Sequence, residues 1–326
     1  MIKNIFQMLL ALLVAFCGSL IFIYLHLPLP WLLGSIFATS ILIRFQKIPI
    51  QSPKLFSAPA RILIGLAIGS AFTPAILNYI PQYTISLLLV VPFTILVIFF
   101  GTYYYYKVLK YDLKTSYLGS MPGGVIEMVI IGQELKANTA KITLMQSSRL
   151  FFVVVSLPFI IQYIFQIDIR GNQLLTTPIK DIDMFEFLYI YVLAVFAALF
   201  AKKIKLTAAY LIGPMIISII LYSGGFVTTH IPDELLKFIQ VVFGSIIGFT
   251  FKNVDLKTIF NTLVATLGHF VILIILCGIF IFIIHHFFGF ATLDILLAFG
   301  PGGQTEINLI ALLVGVNLPY TTLHHI

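Results

Sequence analysis

The sequence predicts an all-α membrane protein with about ten or eleven transmembrane segments in two inverted repeats, each holding one helix broken by glycine and proline. Three observations predict this. The chain is 60% hydrophobic and 10% charged, with a mean hydropathy of +1.08. Apolar runs long enough to cross a bilayer recur along its whole length. Two proline-glycine-glycine elements recur at a fixed spacing. A soluble domain carries about 25% charged residues and must cover much of its surface with polar groups. The composition therefore excludes a soluble enzyme, a DNA-binding domain, a disulfide scaffold and a disordered tail.

The apolar runs cover residues 5–25, 29–45, 59–78, 84–107, 115–135, 139–165, 185–201, 206–223, 235–252, 258–288 and 291–315. A crossing takes about twenty apolar residues. None of the runs alternates as a barrel strand does, so the spans are helical. At the N-terminus, Met1-Ile2-Lys3 leads into an apolar stretch from Phe6 to Leu25. That stretch is long for a signal sequence and no small-x-small cleavage site follows it; Phe16 directly before Cys17 argues against lipoprotein processing. It reads as a retained first helix. Cys17 and Cys277 both lie in apolar runs, too few for a disulfide framework or a cysteine metal site. The net charge of +7 reads as cytoplasmic loops. The longest polar stretch, residues 166–184, reads as a connector rather than a domain.

The two broken runs carry Met121-Pro122-Gly123-Gly124 and Gly300-Pro301-Gly302-Gly303, their prolines 179 residues apart. The same shift pairs Gly34 with Gly213, Gly65 with Gly244, Gly69 with Gly248 and Phe72 with Phe251. It also pairs Glu127 with Glu306, Asn138 with Asn317 and Thr143 with Thr322. Apolar matches between membrane helices are cheap, but matched glycine, proline, glutamate and asparagine at one offset are not. The shift aligns about 115 residues without a gap, the signature of duplication. Residues 1–165 form the first repeat and 185–326 the second. The first copy continues through Arg149 into an apolar helix ending near Phe165. The matching stretch of the second would begin near Ile326, so the second copy reads as lacking that helix or as given only in part.

Loop charges set the relative orientation, because cytoplasmic loops collect Lys and Arg. Residues 26–30 carry neither, whereas their match carries Lys202, Lys203 and Lys205. Residues 44–61 carry Arg44, Lys47, Lys54 and Arg61, against Lys237 with Asp233 and Glu234 in the match. Residues 73–83 carry none, against Lys252 and Lys257; residues 107–114 carry Lys107, Lys110 and Lys114, against none in 286–293. Every pair has opposite bias, so the halves are expected upside down relative to each other, with the N-terminus cytoplasmic. Inversion needs an odd number of crossings per half, which makes each PGG segment a re-entrant hairpin or a discontinuous helix. Inverted repeats with matched broken segments point to a secondary transporter with its site at the breaks.

The candidate site residues follow from the breaks. Gly123, Gly124, Gly302 and Gly303 free the backbone to leave helical geometry. The half-helix after each break exposes unpaired N–H groups suited to an anion. Glu127 and Glu306 lie just beyond; a carboxylate at membrane depth marks an ion path, a proton relay or a cation site, although an acid near a helix N-terminus is also favoured by the helix dipole. Gln304, Thr305 and Asn308 add polar groups in the second half only. Three roles are open to Arg149: countering Glu127 or Glu134, holding an anionic substrate, or reaching to the interface. Arg61 reads as an anchor beside a basic loop. His269, His285, His286, His324 and His325 have no spacing that sets three metal ligands on one helix face. No nucleophile motif, phosphate loop or dinucleotide fingerprint is present. Gly65 and Gly69 are four apart, as in close helix packing.

The PGG-x-x-E elements, Trp31-Leu32-Leu33-Gly34, Tyr210-Leu211-Ile212-Gly213-Pro214 and His324-His325 together resemble the duplicated membrane family called AbrB, distinct from the small DNA-binding protein of that name. The resemblance covers essentially the whole chain. Members are grouped with the cation:proton antiporter and anion transporter superfamily, which implies inverted repeats with crossing broken helices. They commonly carry the labels "ammonia monooxygenase" or "transcriptional regulator". Members usually extend beyond the His-His pair with a further arginine and helix, and this chain does not. The sequence has no soluble domain to read DNA and no metal ligands for an oxidase.

The expectation is a non-enzymatic transporter of a small solute, coupled to a proton or another cation, in a bacterial inner (plasma) membrane. The alternative is a membrane-embedded regulator or sensor that affects gene expression indirectly. No cofactor is expected. The expected partners are the solute, the coupling cation and the lipid bilayer, with no direct nucleic acid; the sequence leaves the oligomeric state open, a homodimer included.

Overall fold

The computed structural model describes residues 2–45, 49–72, 80–167, 176–252 and 254–325. Its helices, in chain order, are α1 (Ile2–Tyr24), α2 (Pro30–Leu42), α3 (Ser57–Ser70), α4 (Thr84–Tyr103), α5 (Leu113–Ser120), α6 (Val125–Glu134) and α7 (Thr139–Phe159). They continue with α8 (Met184–Lys203), α9 (Ala209–Ser223), α10 (Asp233–Gly248), α11 (Leu256–Phe288), α12 (Thr292–Ala298), α13 (Gln304–Val314) and α14 (Leu318–His325). Among the described residues, six helices are long and apolar enough to cross a membrane, and three shorter apolar ones accompany them. The protein is an all-α membrane protein. Its helices recur at the sequence spacing: α9, α12, α13 and α14 each begin 179 residues after α2, α5, α6 and α7. Parts of the expected connector (168–175) and of the loops near 47 and 73–79, with Ile326, lie outside the described residues.

The chain folds into two compact units, and each takes pieces from both sequence repeats. One contains residues 1–81, 161–252 and 308–322; the other contains 82–160, 253–307 and 323–326.

In the first unit, glycines set the packing. A side chain on Gly34 of α2 would meet the Gly18 carbonyl of α1 at 2.5 Å. At the matching place, one on Gly213 of α9 would meet the Ala197 carbonyl of α8 at 2.6 Å. Gly65 of α3 lies against the Leu211 carbonyl of α9, and Gly244 of α10 lies against the Leu32 carbonyl of α2. Gly69 and Gly248 repeat this one turn on, against the carbonyls of Met215 and Ile36. Small residues let helix backbones approach where lipid gives no hydrophobic push. The same contact is made twice with the partners exchanged. Ser218 adds a hydrogen bond to the Leu66 carbonyl at 2.8 Å. Arg44 Nη2 donates to the Phe251 carbonyl at 3.1 Å, and Lys252 Nζ to that of Ile50 at 2.6 Å.

A small polar edge belongs to the same unit. Thr176–Thr177 pairs in parallel with Ile231–Pro232. Glu186 accepts from the Thr228 N–H at 2.8 Å and from the Thr229 hydroxyl; Glu234 accepts from the Ile179 N–H at 3.0 Å. Glu186 and Glu234 thus hold backbone in place.

In the second unit, α11 runs for 33 residues, about 50 Å at 1.5 Å per residue, and outspans a hydrocarbon core of about 30 Å. α4 ends in a π turn, Tyr104–Val108. Phe93, Phe280 and Phe299 pack as a trio of rings with centroids 5.1 to 5.7 Å apart. His324 Nε2 lies 2.9 Å from the Ser86 hydroxyl, and His325 Nε2 donates to the Leu297 carbonyl at 2.8 Å. These histidines serve packing.

Candidate functional site

The first break begins where α5 stops. Asp112 caps the start of α5 by accepting the Thr115 N–H at 2.9 Å. The helix reaches Ser120, and Met121 then turns extended (φ −63°, ψ 126°). Pro122 follows and, without an N–H, cannot continue the ladder. This leaves carbonyls at the end of α5 that must find donors. α7 supplies them. Gln146 Nε2 donates to the Leu118 carbonyl at 2.8 Å and to that of Met121 at 2.9 Å. Arg149 Nη1 donates to the same Met121 carbonyl at 3.1 Å. The two side chains are three residues apart and share a helix face. A helix C-terminus carries partial negative charge, so these donors are complementary to it.

The second break touches the same helix. The Gly302 N–H folds back to the Gly300 carbonyl at 2.8 Å. A side chain on Gly302 would meet that of Ile307 and, at 3.2 Å, Val153 of α7. One on Gly303 would meet Leu150 at 3.4 Å. α7 therefore bears on the first break through Gln146 and Arg149, and on the second through Leu150 and Val153.

Both half-helices start alike. Gly124 is the N-cap of α6 (φ −68°, ψ 136°), and its carbonyl accepts the Met128 N–H at 3.0 Å. The Gly303 carbonyl accepts the Ile307 N–H at 2.9 Å. Three residues past each glycine comes the glutamate, and one helical turn brings it back over the glycine. The carboxylates of Glu127 and Glu306 fill the space that a side chain on Gly124 or Gly303 would enter. Glycine and glutamate are thus coupled in the G-x-x-E spacing: the first makes room for the second. Gly123, Gly124 and Glu127 are exposed, while Glu306 is half-buried.

Arg149 is 4% exposed and stands midway along α7. Among the described residues it has no carboxylate partner, so the sequence option of a pair with Glu127 or Glu134 is not formed. Tyr105 and His269 stand near Arg149. Those two are themselves paired, Tyr105 hydroxyl to His269 Nδ1 at 3.3 Å, and Gly101 makes the room for the imidazole. Thr305 is buried, and Gln304 Nε2 is buried with no hydrogen-bond partner among the described residues. Asn308 falls in the other unit, where its Oδ1 accepts the Thr322 hydroxyl at 3.1 Å.

The structure thus gathers Gly123, Gly124, Glu127, Arg149, Gly302, Gly303, Gln304, Thr305 and Glu306 within one unit and leaves Asn308 outside it. Sequence reasoning missed Gln146 as a site residue; its three-residue spacing from Arg149 was the available signal. Nothing in the sequence could pair Tyr105 with His269, 164 residues away. Carboxylates at half-helix starts can take a proton or hold a cation, and a buried guanidinium can hold an anion.

Comparison with known proteins places the chain. It is 26% identical over 263 residues to the "Uncharacterized protein YhjN" of Bacillus subtilis (strain 168), covering 77% of this chain and 68% of that protein. It is 24% identical over 295 residues to the "Putative regulator AbrB" of Escherichia coli (strain K12), covering 90% of this chain and 84% of that one. No solved structure matches it. The sequence pattern of the family described as "Transition state regulatory protein AbrB" matches residues 31–326. With nearly the whole chain matched, this membrane protein belongs to the AbrB family.

Proposed function

We propose that the protein moves a small solute across the membrane by alternating access at its two broken helices, coupled to a proton or another cation. One observation carries this reading: the same Gly-x-x-Glu start recurs after both breaks, each carboxylate lying over its own glycine. Glu127 and Glu306 bind or relay the coupling cation. The break backbones with Gln304 and Thr305 meet the solute. Broken, matched segments in two copies whose matched loops carry opposite Lys/Arg bias are the pattern of secondary transporters, and irregular backbone at membrane depth is tolerated where protein or a water-filled cavity covers it. The protein sits in an inner membrane with its N-terminus cytoplasmic, its halves inverted, and works without a cofactor and not as an enzyme.

A second reading takes its support from the regulatory descriptions of the family and of the Escherichia coli relative. On it, the same fold senses a solute and acts on expression through a partner. The two part on one experiment, in which solute binding to the purified protein and solute flux through proteoliposomes are measured side by side. Transport requires both, whereas sensing gives binding without flux.

A further inference from the structure

Among the described residues, Arg149 is a charge without a countercharge. It stands at the middle of a 21-residue helix, about 15 Å from either end, and is 4% exposed. An intramembrane arginine is normally paired with an acid or with backbone carbonyls. Here one nitrogen, Nη1, is tethered to the Met121 carbonyl, and Nε is buried with no partner. Beside it, Gln146 Oε1 and the Ser148 hydroxyl are also buried without partners. On the second break, which the next residue of α7, Leu150, touches, Gln304 Nε2 is in the same state. A cap for α5 accounts for Nη1 and for the amide nitrogen of Gln146. It does not account for unmade bonds on both sides of α7. An unsatisfied buried polar group is destabilising, and more so when charged.

We infer that the solute carries a carboxylate, bound in its ionised form by the Arg149 guanidinium between the two breaks. This rests on the transport reading above and specifies its substrate class. The planar guanidinium fork matches two carboxylate oxygens side by side. One positive charge is available, so a monocarboxylate neutralises it, whereas a doubly charged phosphate or sulfate leaves an uncompensated charge in a low-dielectric site.

The test uses the full-length protein in detergent, with thermal shift and titration calorimetry. The probes are acetate, pyruvate and glutamate, against sulfate, inorganic phosphate, methylammonium and choline. The expected result is binding of at least one carboxylate, weakened about tenfold or more in Arg149→Gln, the size of one lost charge-assisted bond. Arg149→Lys keeps the charge that caps α5 but loses the fork, so it folds as the parent does and still binds more weakly. Equal carboxylate binding by parent and Arg149→Lys overturns the inference, as does binding of amines alone, of sulfate or phosphate alone, or of no probe at millimolar concentration. Amine flux that depends on Glu127 and Glu306 would leave transport standing while removing the carboxylate. Carboxylate binding without flux would do the reverse.

Discussion

The carboxylate of Glu127 occupies the space in which a side chain on Gly124 would begin, and Glu306 stands in the same relation to Gly303. Two halves of one sequence have kept the same pair of residues at the same two helix starts. The glycines do not serve a left-handed turn, since Gly124 has φ −68° and ψ 136°, a conformation open to any residue. They serve the carboxylates.

Gly124→Ala isolates that relationship. The backbone accepts alanine, so unfolding should shift by no more than about 2 °C. The Glu127 carboxylate is displaced, and coupled flux should fall about tenfold or more, the size of a lost charged contact. Combined with Glu127→Gln, the alanine should add little, because both changes remove the same contact. Flux assays and a thermal melt on the three proteins check this.

Packing gives a prediction of the opposite kind. Gly65→Ala drives a side chain into the Leu211 carbonyl, and Gly244→Ala drives one into the Leu32 carbonyl. Backbone cannot yield as a flexible side chain does, so each should destabilise by about 1–3 kcal/mol. The contacts are equivalent, so the two losses should be of similar size. Thermal unfolding in detergent reads both.

The inversion of the halves is tested by labelling from either side. In a protein with Cys17 and Cys277 replaced, cysteines at Lys110 and at Phe288 should react with an impermeant reagent from opposite faces of the membrane. Lys110 should be cytoplasmic. Labelling of both from one face contradicts inversion.

Asp255 gives a pH-dependent end to α11. Its carboxylate accepts the Thr258 N–H at 2.8 Å, and that bond, with the Thr258 hydroxyl, holds the carboxyl below the usual aspartate range. A depressed folded value stabilises the protein above the unfolded value and loses that contribution as pH falls through the folded one. The loss should appear below about pH 4. Asp255→Asn caps the helix without titrating, so its melting temperature should fall less steeply than the parent's in that range, with Asp112 at the start of α5 supplying part of the slope that remains.

Much of this architecture is written in periodicity and punctuation. The run 258–288 became α11, and 115–135 and 291–315 each became two helices parted at the PGG. The 179-residue shift was legible because glycine, proline and glutamate are costly to place in a membrane helix without a purpose. The partners of Arg149 were not legible. A guanidinium bonded to the Met121 carbonyl depends on how α7 packs against α5, and no residue type announces a carbonyl acceptor. Asn308 looked like part of the polar cluster after the second break, one turn past Gln304. It shares a helix face with Gln304, and its bond to the Thr322 hydroxyl comes from the fold alone. His269 read as packing and is buried against Tyr105, but its proximity to Arg149 comes from the fold alone.

The most direct measurement of the central claim is proton flux in proteoliposomes while small organic acids, amines and cations are offered in turn, for the parent, Glu127→Gln and Glu306→Gln. Coupled transport at the breaks predicts flux that depends on one class of solute and is lost in both variants. Folded parent protein that moves no proton with any solute, or variants that move it as the parent does, would contradict the account and return both carboxylates to the role of helix-terminus structure.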